Sequence, residues 1–197
     1  MSADGLAAAI LVGGQSRRMG TNKALLRLEP GGPAVVEMVL QTLQQVADQV
    51  VLVGHDLAAY SFLDLPWLHD DLPEAGPLAG IHAAMLGVRT DHVLVVACDM
   101  PFLNVDLLRF MVNRPRTYDV LVPEMGQLQP LHAIYTQSCQ PTIERYLATG
   151  RRRVTGWFAE ANVQIIPQAE VERFDPTLRS CFNLNTPADL DRARRMS

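Results

Sequence analysis

Short apolar runs alternate along this chain with segments whose apolar residues recur at helical spacing. An apolar run without regular polar interruption is typical of a strand that is buried on both faces of a sheet. The runs predict strands over residues 6–12, 50–53, 67–69, 93–97, 120–122, 131–135 and 163–166. Helical spacing predicts helices over 35–46, 79–88, 107–112 and 142–148, and a terminal helix from Pro187.

Strands that are separated by helices favour an α/β fold, a three-layer sandwich whose mostly parallel sheet carries helices on both faces. The chain contains no internal repeat, no low-complexity segment and no linker, so we expect residues 1–197 to form a single domain. In such sheets ligands bind beyond the carboxyl ends of the strands, and candidate chemistry is therefore sought there.

Composition narrows the class of protein. The net charge of −4 offers no general attraction for nucleic acid or an anionic membrane. No apolar run approaches the ~18 residues of a transmembrane helix, and the N-terminus lacks the plan of a signal peptide. Cys98, Cys139 and Cys181 are far apart and odd in number, which predicts reduced thiols. We therefore expect a cytoplasmic enzyme or binding domain.

A cationic segment without acidic residues follows the first predicted strand. Gly13 and Gly14 allow backbone N–H groups to approach an anion closely, as a phosphate cradle requires. The cations of this segment are Arg17, Arg18, Lys23 and Arg27. The spacing matches neither the P-loop pattern nor the dinucleotide-binding pattern. The segment predicts a phosphate site of another kind, and the alternative is a surface turn with solvated arginines.

Asp99 comes directly after the apolar run 93–98 and should emerge at the carboxyl edge of the sheet. Mg²⁺ is usually held by one or two carboxylates together with substrate phosphates. The alternative is a helix cap, although Asn104 is the better candidate for that role. Cys98 is expected to belong to the core, and the histidines show no metal-ligand spacing with the cysteines, so zinc is not supported.

Five segments together resemble one family. They are Leu11–Lys23, Gly76–Ile81, Ala97–Leu103, Gln129–Tyr135 and Asn183–Leu190. In this order they are similar to the motifs of the molybdenum cofactor guanylyltransferase (MobA-like) family of nucleotidylyltransferases. The resemblance covers nearly the whole chain and implies a Rossmann-like nucleotidyltransferase fold. It also implies that the N-terminal part binds GTP and that the C-terminal part binds the acceptor.

The resemblance implies roles for individual residues. Catalysis would fall to Lys23, Asp99 and Arg18, with Mg²⁺ on Asp99. The implied ligand-binding residues are Leu11, Val12, Gly13, Gly14, Lys23, Asp70 or Asp71, Gly80, Asp99, Asn183 and Asn185. Either aspartate could instead belong to an acidic surface loop, and the asparagines, implied to contact the acceptor, could be turn formers. Where some family members have an asparagine after the second strand, this chain has His55.

The implied reaction transfers GMP from GTP to the phosphate of molybdopterin and releases pyrophosphate. Alternatives are a cytidylyltransferase, a nucleotidylyltransferase acting on another phosphorylated metabolite, or a nucleotide-binding adaptor for molybdoenzymes. The double glycine favours GTP over CTP. Further implied partners are other molybdenum cofactor biosynthesis proteins and molybdoenzyme chaperones. Arg151–Arg153 could steer an anionic substrate or form a solvated cluster at a helix C-terminus.

Overall fold

The computed structural model describes residues 5–13, 22–56, 58–70 and 76–197. The strands are β1 (Leu6–Leu11), β2 (Gln49–Gly54), β3 (Trp67–His69), β4 (His92–Ala97), β5 (Val120–Met125), β6 (Gln127–Leu128), β7 (His132–Thr136) and β8 (Val163–Ile166). The α-helices are α1 (Val35–Leu43), α2 (Pro77–Gly87), α3 (Val105–Val112), α4 (Gln140–Ala148), α5 (Gln168–Val171) and α6 (Pro187–Met196).

The strands form one sheet in the order β3-β2-β1-β4-β7-β5-β6, and β8 pairs with β5 on the side opposite β7. The pairs β1–β2, β1–β4, β2–β3 and β5–β8 are parallel, and β7 is antiparallel to both of its neighbours. A parallel crossover needs about a dozen residues or more, whereas only residues 126–131 separate β5 from β7. This short connection explains the antiparallel strand inside a mostly parallel sheet.

The core lies on both faces of the sheet. Ala8 and Ile10 of β1 point to the face that α1, α3 and α5 cover, while Ala7 and Ala9 point to the face that α2 and α4 cover. Successive side chains of a strand alternate between faces, so a strand covered on both sides must be apolar throughout. Helix α6 packs outside α1 in a smaller cluster with Phe182 and Leu184.

The predicted fold class, an α/β sandwich with a mostly parallel sheet, is confirmed, and every predicted strand and helix is present with bounds shifted by a few residues. The short elements β6 and α5 were not predicted. Asn104 caps α3, as expected, since its side-chain oxygen accepts hydrogen bonds from Asp106 N and Leu107 N. Among the described residues, no helix has both the length and the apolar character to cross a membrane.

Candidate active site

A cavity of about 450 Å³ opens at the carboxyl edge of the parallel strands. Its wall combines the ends of β1, β2, β3 and β4, the start of α2, the β6 hairpin and the segment before α6. The residues that line it are Leu11, Val12, Gly13, Val53, Gly54, His55, Asp70, Gly76, Pro77, Gly80, Ala97, Cys98, Asp99, Met100, Gln127, Leu128, Gln129, Pro130, Leu131, Asn183 and Asn185. The cavity lies where a parallel sheet is expected to hold its ligand.

Two glycines bring backbone close together at this edge. A side chain at Gly54 would overlap the carbonyl oxygen of Val12. The two segments lie this close because Val12 N donates a 2.8 Å hydrogen bond to Val53 O. At Gly80 in α2, a Cβ atom would lie 3.2 Å from the Leu11 side chain. Helix α2 therefore approaches the sheet closely at Gly80, which places the start of α2 against the cavity.

Lys23 links an early and a late segment of the chain. The Asn22 side-chain oxygen accepts a 3.2 Å hydrogen bond from Ala24 N and caps the single 3-10 turn Lys23–Leu25. From this turn Lys23 Nζ donates a 3.0 Å hydrogen bond to Asn185 Oδ1. Since Asn185 lines the cavity, the ammonium group lies at its edge. A lysine in this place supplies a point charge for an anionic ligand.

Asp99 emerges after β4, as the sequence predicts, and its carbonyl oxygen accepts a 3.0 Å hydrogen bond from Leu184 N. Burial raises the pKa of its carboxyl group, and the nearby Lys23 opposes that rise. A partly buried carboxylate in an open cavity suits a divalent cation, which would restore the charged form. The part of the chain that the structure describes contains no cluster of three or more His, Cys, Asp or Glu side chains that could hold a metal ion.

Cys98 lies beside Asp99 in the cavity wall. Burial, assisted by the Asp99 charge, raises the pKa of its thiol to about 12. The thiolate, which is the nucleophilic form, is therefore scarcely populated at neutral pH. The prediction that Cys98 belongs to the core is consistent with its packing against the apolar cluster on the α1 side.

Asp70 lies at the same carboxyl edge of the sheet as Asp99, immediately after β3, and its side chain is only 11% exposed. Its carboxylate Oδ2 is 3.6 Å from His55 Nε2, and both residues line the cavity. The sequence singled out Asp70 and Asp71 without deciding between them. Asp70 contributes to the cavity, and Asp71 lies outside the described residues.

The remaining wall comes from later parts of the chain. The Asn183 side-chain oxygen is buried and has no hydrogen-bond partner in the part of the chain that the structure describes. The Gln129 side-chain amide donates hydrogen bonds to Gln127 O at 3.3 Å and to Met125 O at 3.4 Å, which stabilise the β5–β6 hairpin. The sequence assigned no role to this hairpin, although its Gln129–Tyr135 motif was a usable signal.

The structure thus gathers eight predicted site residues in the cavity wall. They are Leu11, Val12, Gly13, Asp70, Gly80, Asp99, Asn183 and Asn185. Lys23 joins them through Asn185, while Gly14 and Arg18 lie outside the described residues. His55, Gln127 and Gln129 were not predicted as site residues. Arg151–Arg153 are exposed and absent from the cavity wall, and Arg152 donates a 3.0 Å hydrogen bond to Leu147 O at the end of α4.

Comparison with known proteins adds independent findings. Residues 8–164 match the family described as MobA-like NTP transferase domain. A protein of Pelotomaculum thermopropionicum named "Probable molybdenum cofactor guanylyltransferase" is 39% identical over 189 residues, which cover 95% of this chain and 91% of the relative. A protein of the same name from Carboxydothermus hydrogenoformans is 35% identical and is matched over 95% of this chain and 94% of its own length.

A solved structure agrees with the sequence relatives. The crystal structure of molybdopterin-guanine dinucleotide biosynthesis protein A from Archaeoglobus fulgidus superposes with a TM-score of 0.83 at 32% identity. The match covers 96% of this chain and 97% of that protein. The similarity therefore extends over the whole sheet and the segments that build the cavity.

Proposed function

The chain belongs to the family of MobA-like NTP transferase domains, and from this premise we propose that it transfers GMP from GTP to the phosphate of molybdopterin. The observation that carries the proposal is the meeting of Lys23, Asn185 and Asp99 at one cavity. Lys23 Nζ is hydrogen-bonded to Asn185, and the segment that carries Asn185 is tied to Asp99 through Leu184.

The nucleotide would lie along the ends of β1, β2 and β3. Backbone groups at Leu11–Gly13 and the start of α2 would face its phosphates and ribose, and Lys23 and Arg18 would contribute positive charge. Asp70 would receive the guanine ring, since a carboxylate accepts hydrogen bonds from both N1–H and the 2-amino group. Gly14 and Asp71 remain proposed contacts on the strength of the sequence motif alone.

The chemical step forms one P–O bond and breaks another. A phosphate oxygen of the acceptor attacks the α-phosphorus of GTP, and the bond to the β-phosphate oxygen breaks, so that pyrophosphate leaves with the electron pair. The attacking oxygen is already ionised at neutral pH and needs no basic side chain to activate it. The protein's contribution is positioning and neutralisation of charge, for which Lys23 is suitably placed.

Nucleotidyltransferases of this kind use a divalent metal ion, and the proposal specifies Mg²⁺ with Asp99 as its protein ligand. Bound there, the ion would neutralise the phosphate oxygens of the nucleotide. Asp99 offers hard oxygen ligands in a partly buried position. Burial raises the pKa of its carboxyl group because it disfavours the charged form, and a bound cation would offset that cost.

The acceptor would occupy the side of the cavity formed by the β6 hairpin and the segment before α6. The buried Asn183 side-chain oxygen lines that side and can accept an N–H group from a pterin-like ring. Asn185 is already engaged with Lys23, so it would link the acceptor side to the triphosphate side. We further propose a cytoplasmic location, where the three free cysteines would stay reduced. The proposed protein partners are other molybdenum cofactor biosynthesis proteins and molybdoenzyme chaperones.

A direct assay tests the reaction. Purified protein is incubated with molybdopterin, Mg²⁺ and one of GTP, CTP, ATP or UTP, and both pyrophosphate and the dinucleotide product are measured. We expect product with GTP only, and none when Mg²⁺ is chelated. Preference for CTP would assign the chain to cytidylyl transfer instead.

Binding and chemistry are then separated with variants. Thermal unfolding with and without each nucleotide reports binding by mass action. Asp99→Asn should bind nucleotide but form no product, whereas Asp106→Asn, an exposed aspartate in the first turn of α3, should behave like wild type. Nucleotide binding without product in the wild type would support the adaptor alternative and contradict the proposal.

A further inference from the structure

His55 and Asp70 are brought side by side by strand register. β2 ends at Gly54 and β3 ends at His69, and these two residues are paired partners in the parallel ladder. The next residue of each strand, His55 and Asp70, therefore leaves the sheet at the same level. Asp70 N donates a 3.5 Å hydrogen bond to Gly54 O, which keeps the ends of β2 and β3 adjacent.

The two side chains differ in exposure. The Asp70 side chain is 11% exposed and the His55 side chain 44%, with His55 Nε2 3.6 Å from Asp70 Oδ2. Both residues line the cavity, so the imidazole ring lies beside a carboxylate that is open to a ligand in the same cavity. A carboxylate has two oxygens and about four acceptor sites, so the same group can contact a histidine ring and accept hydrogen bonds from a ligand.

The chemistry of the nucleobases explains what such a pair can discriminate. Guanine presents two adjacent donors, N1–H and the 2-amino group. Cytosine and adenine each present one amino group next to a bare ring nitrogen, which would oppose a carboxylate. A carboxylate accepts only, so its discrimination depends on whether its two oxygens are held in the plane and direction of both donors.

We infer that His55 is a positioning residue that orients the Asp70 carboxylate and thereby sets the preference for a base with two adjacent donors. This inference rests on the proposed function, in which Asp70 receives the base. His55 acts through Asp70 and takes no part in the transfer step. Its loss should weaken binding of the base and leave the chemistry of the bound nucleotide unaffected.

The test compares GTP with inosine triphosphate, which lacks the 2-amino group. For His55→Ala we expect KM for GTP to rise about tenfold, the effect of losing the hydrogen bond between a misoriented Asp70 and the 2-amino group, with kcat within about twofold of wild type. KM for inosine triphosphate should change much less, so the GTP preference shrinks. His55→Gln keeps a side-chain N–H donor and should restore most of the preference. His69→Ala is the matched control, because His69 is exposed one residue before Asp70 and outside the cavity wall.

Two outcomes would overturn the inference. One is an unchanged ratio of KM for GTP to KM for inosine triphosphate in His55→Ala. The other is an equal loss in His55→Ala and His55→Gln for both nucleotides, accompanied by a lower melting temperature, which would mean a structural role alone. Calorimetric titration of each protein with both triphosphates gives the same ratio without turnover. A wild type that binds GTP selectively but forms no product would therefore refute the proposed function and still decide the role of His55.

Discussion

His132 offers a quantitative test of the structure, because an ionisable ring at the start of β7 has no exposed surface. Burial lowers the pKa of its imidazole to about 4, although the nearby Asp175 charge opposes the shift. An unfolded chain would leave this ring in water with its ordinary pKa of about 6.5. His132→Gln removes the titration and keeps a polar side chain of similar length.

The size and sign of the effect follow from the two pKa values. Between pH 6.5 and 4 the unfolded chain binds a proton at this ring that the folded protein does not, so the free energy of unfolding must fall as the pH falls. At about 1.4 kcal/mol per pKa unit, a drop from 6.5 to about 4 corresponds to a loss of roughly 3 kcal/mol. The full stability is present above pH 6.5 and the loss is complete below pH 4.

The measurement is urea unfolding of wild type and His132→Gln at several pH values between 7.5 and 4.5. Other groups titrate in the same range, but they titrate in both proteins and cancel in the difference. The wild type should lose stability relative to the variant as the pH falls, whatever the variant costs at pH 7.5. His69→Gln, which removes an exposed histidine, serves as the control. Parallel curves for wild type and His132→Gln would refute the idea that the buried ring is held neutral.

Three further predictions, which use four substitutions, test the site. Asp99→Asn should abolish turnover yet unfold at a temperature no lower than wild type, because burial disfavours the charge that the variant removes; a marked drop in melting temperature would contradict this. Lys23→Ala should lower kcat by ~10²-fold if Lys23 stabilises the transition state, and a change confined to KM would assign it to ground-state binding. Gly54→Ala should destabilise the fold by about 1–3 kcal/mol, because the added methyl group would overlap Val12 O. Gly13→Ala should keep the fold and weaken GTP binding, because no atom lies within 4 Å of the added methyl group. Equal melting temperatures for the two variants would contradict this prediction.

Most of the fold could be predicted from local pattern. The strand β4 is a case in point: Val93–Val96 are all buried, and a run with no polar interruption leaves few alternatives to a strand covered on both faces. Capping chemistry is equally informative at α6, where Thr186 and Asp189 form a capping box around the predicted start of the helix at Pro187. The antiparallel direction of β7 was not predicted, because it follows from the length of a connection whose ends the sequence does not mark.

The candidate site also has one part that the local sequence predicts and another that it does not. Asp99 was predicted because a carboxylate directly after a buried strand must emerge at the sheet's carboxyl edge. The hydrogen bond between Lys23 and Asn185 joins residues 162 positions apart and could not be derived from spacing. The hairpin residue Gln129 was recognised as part of a motif, but only the structure places it in the cavity wall.

By itself, the sequence determined which segments are buried strands, where their carboxyl ends lie and which polar residues follow them, because burial and backbone preference act over a few neighbouring residues. Tertiary structure alone decided which of those ends stand next to each other. His55 meets Asp70 because Gly54 is opposite His69 in the β2–β3 ladder. Register is a property of two strands in contact, set by inter-strand hydrogen bonds and by the packing of both faces, and neither strand's own residues contain it.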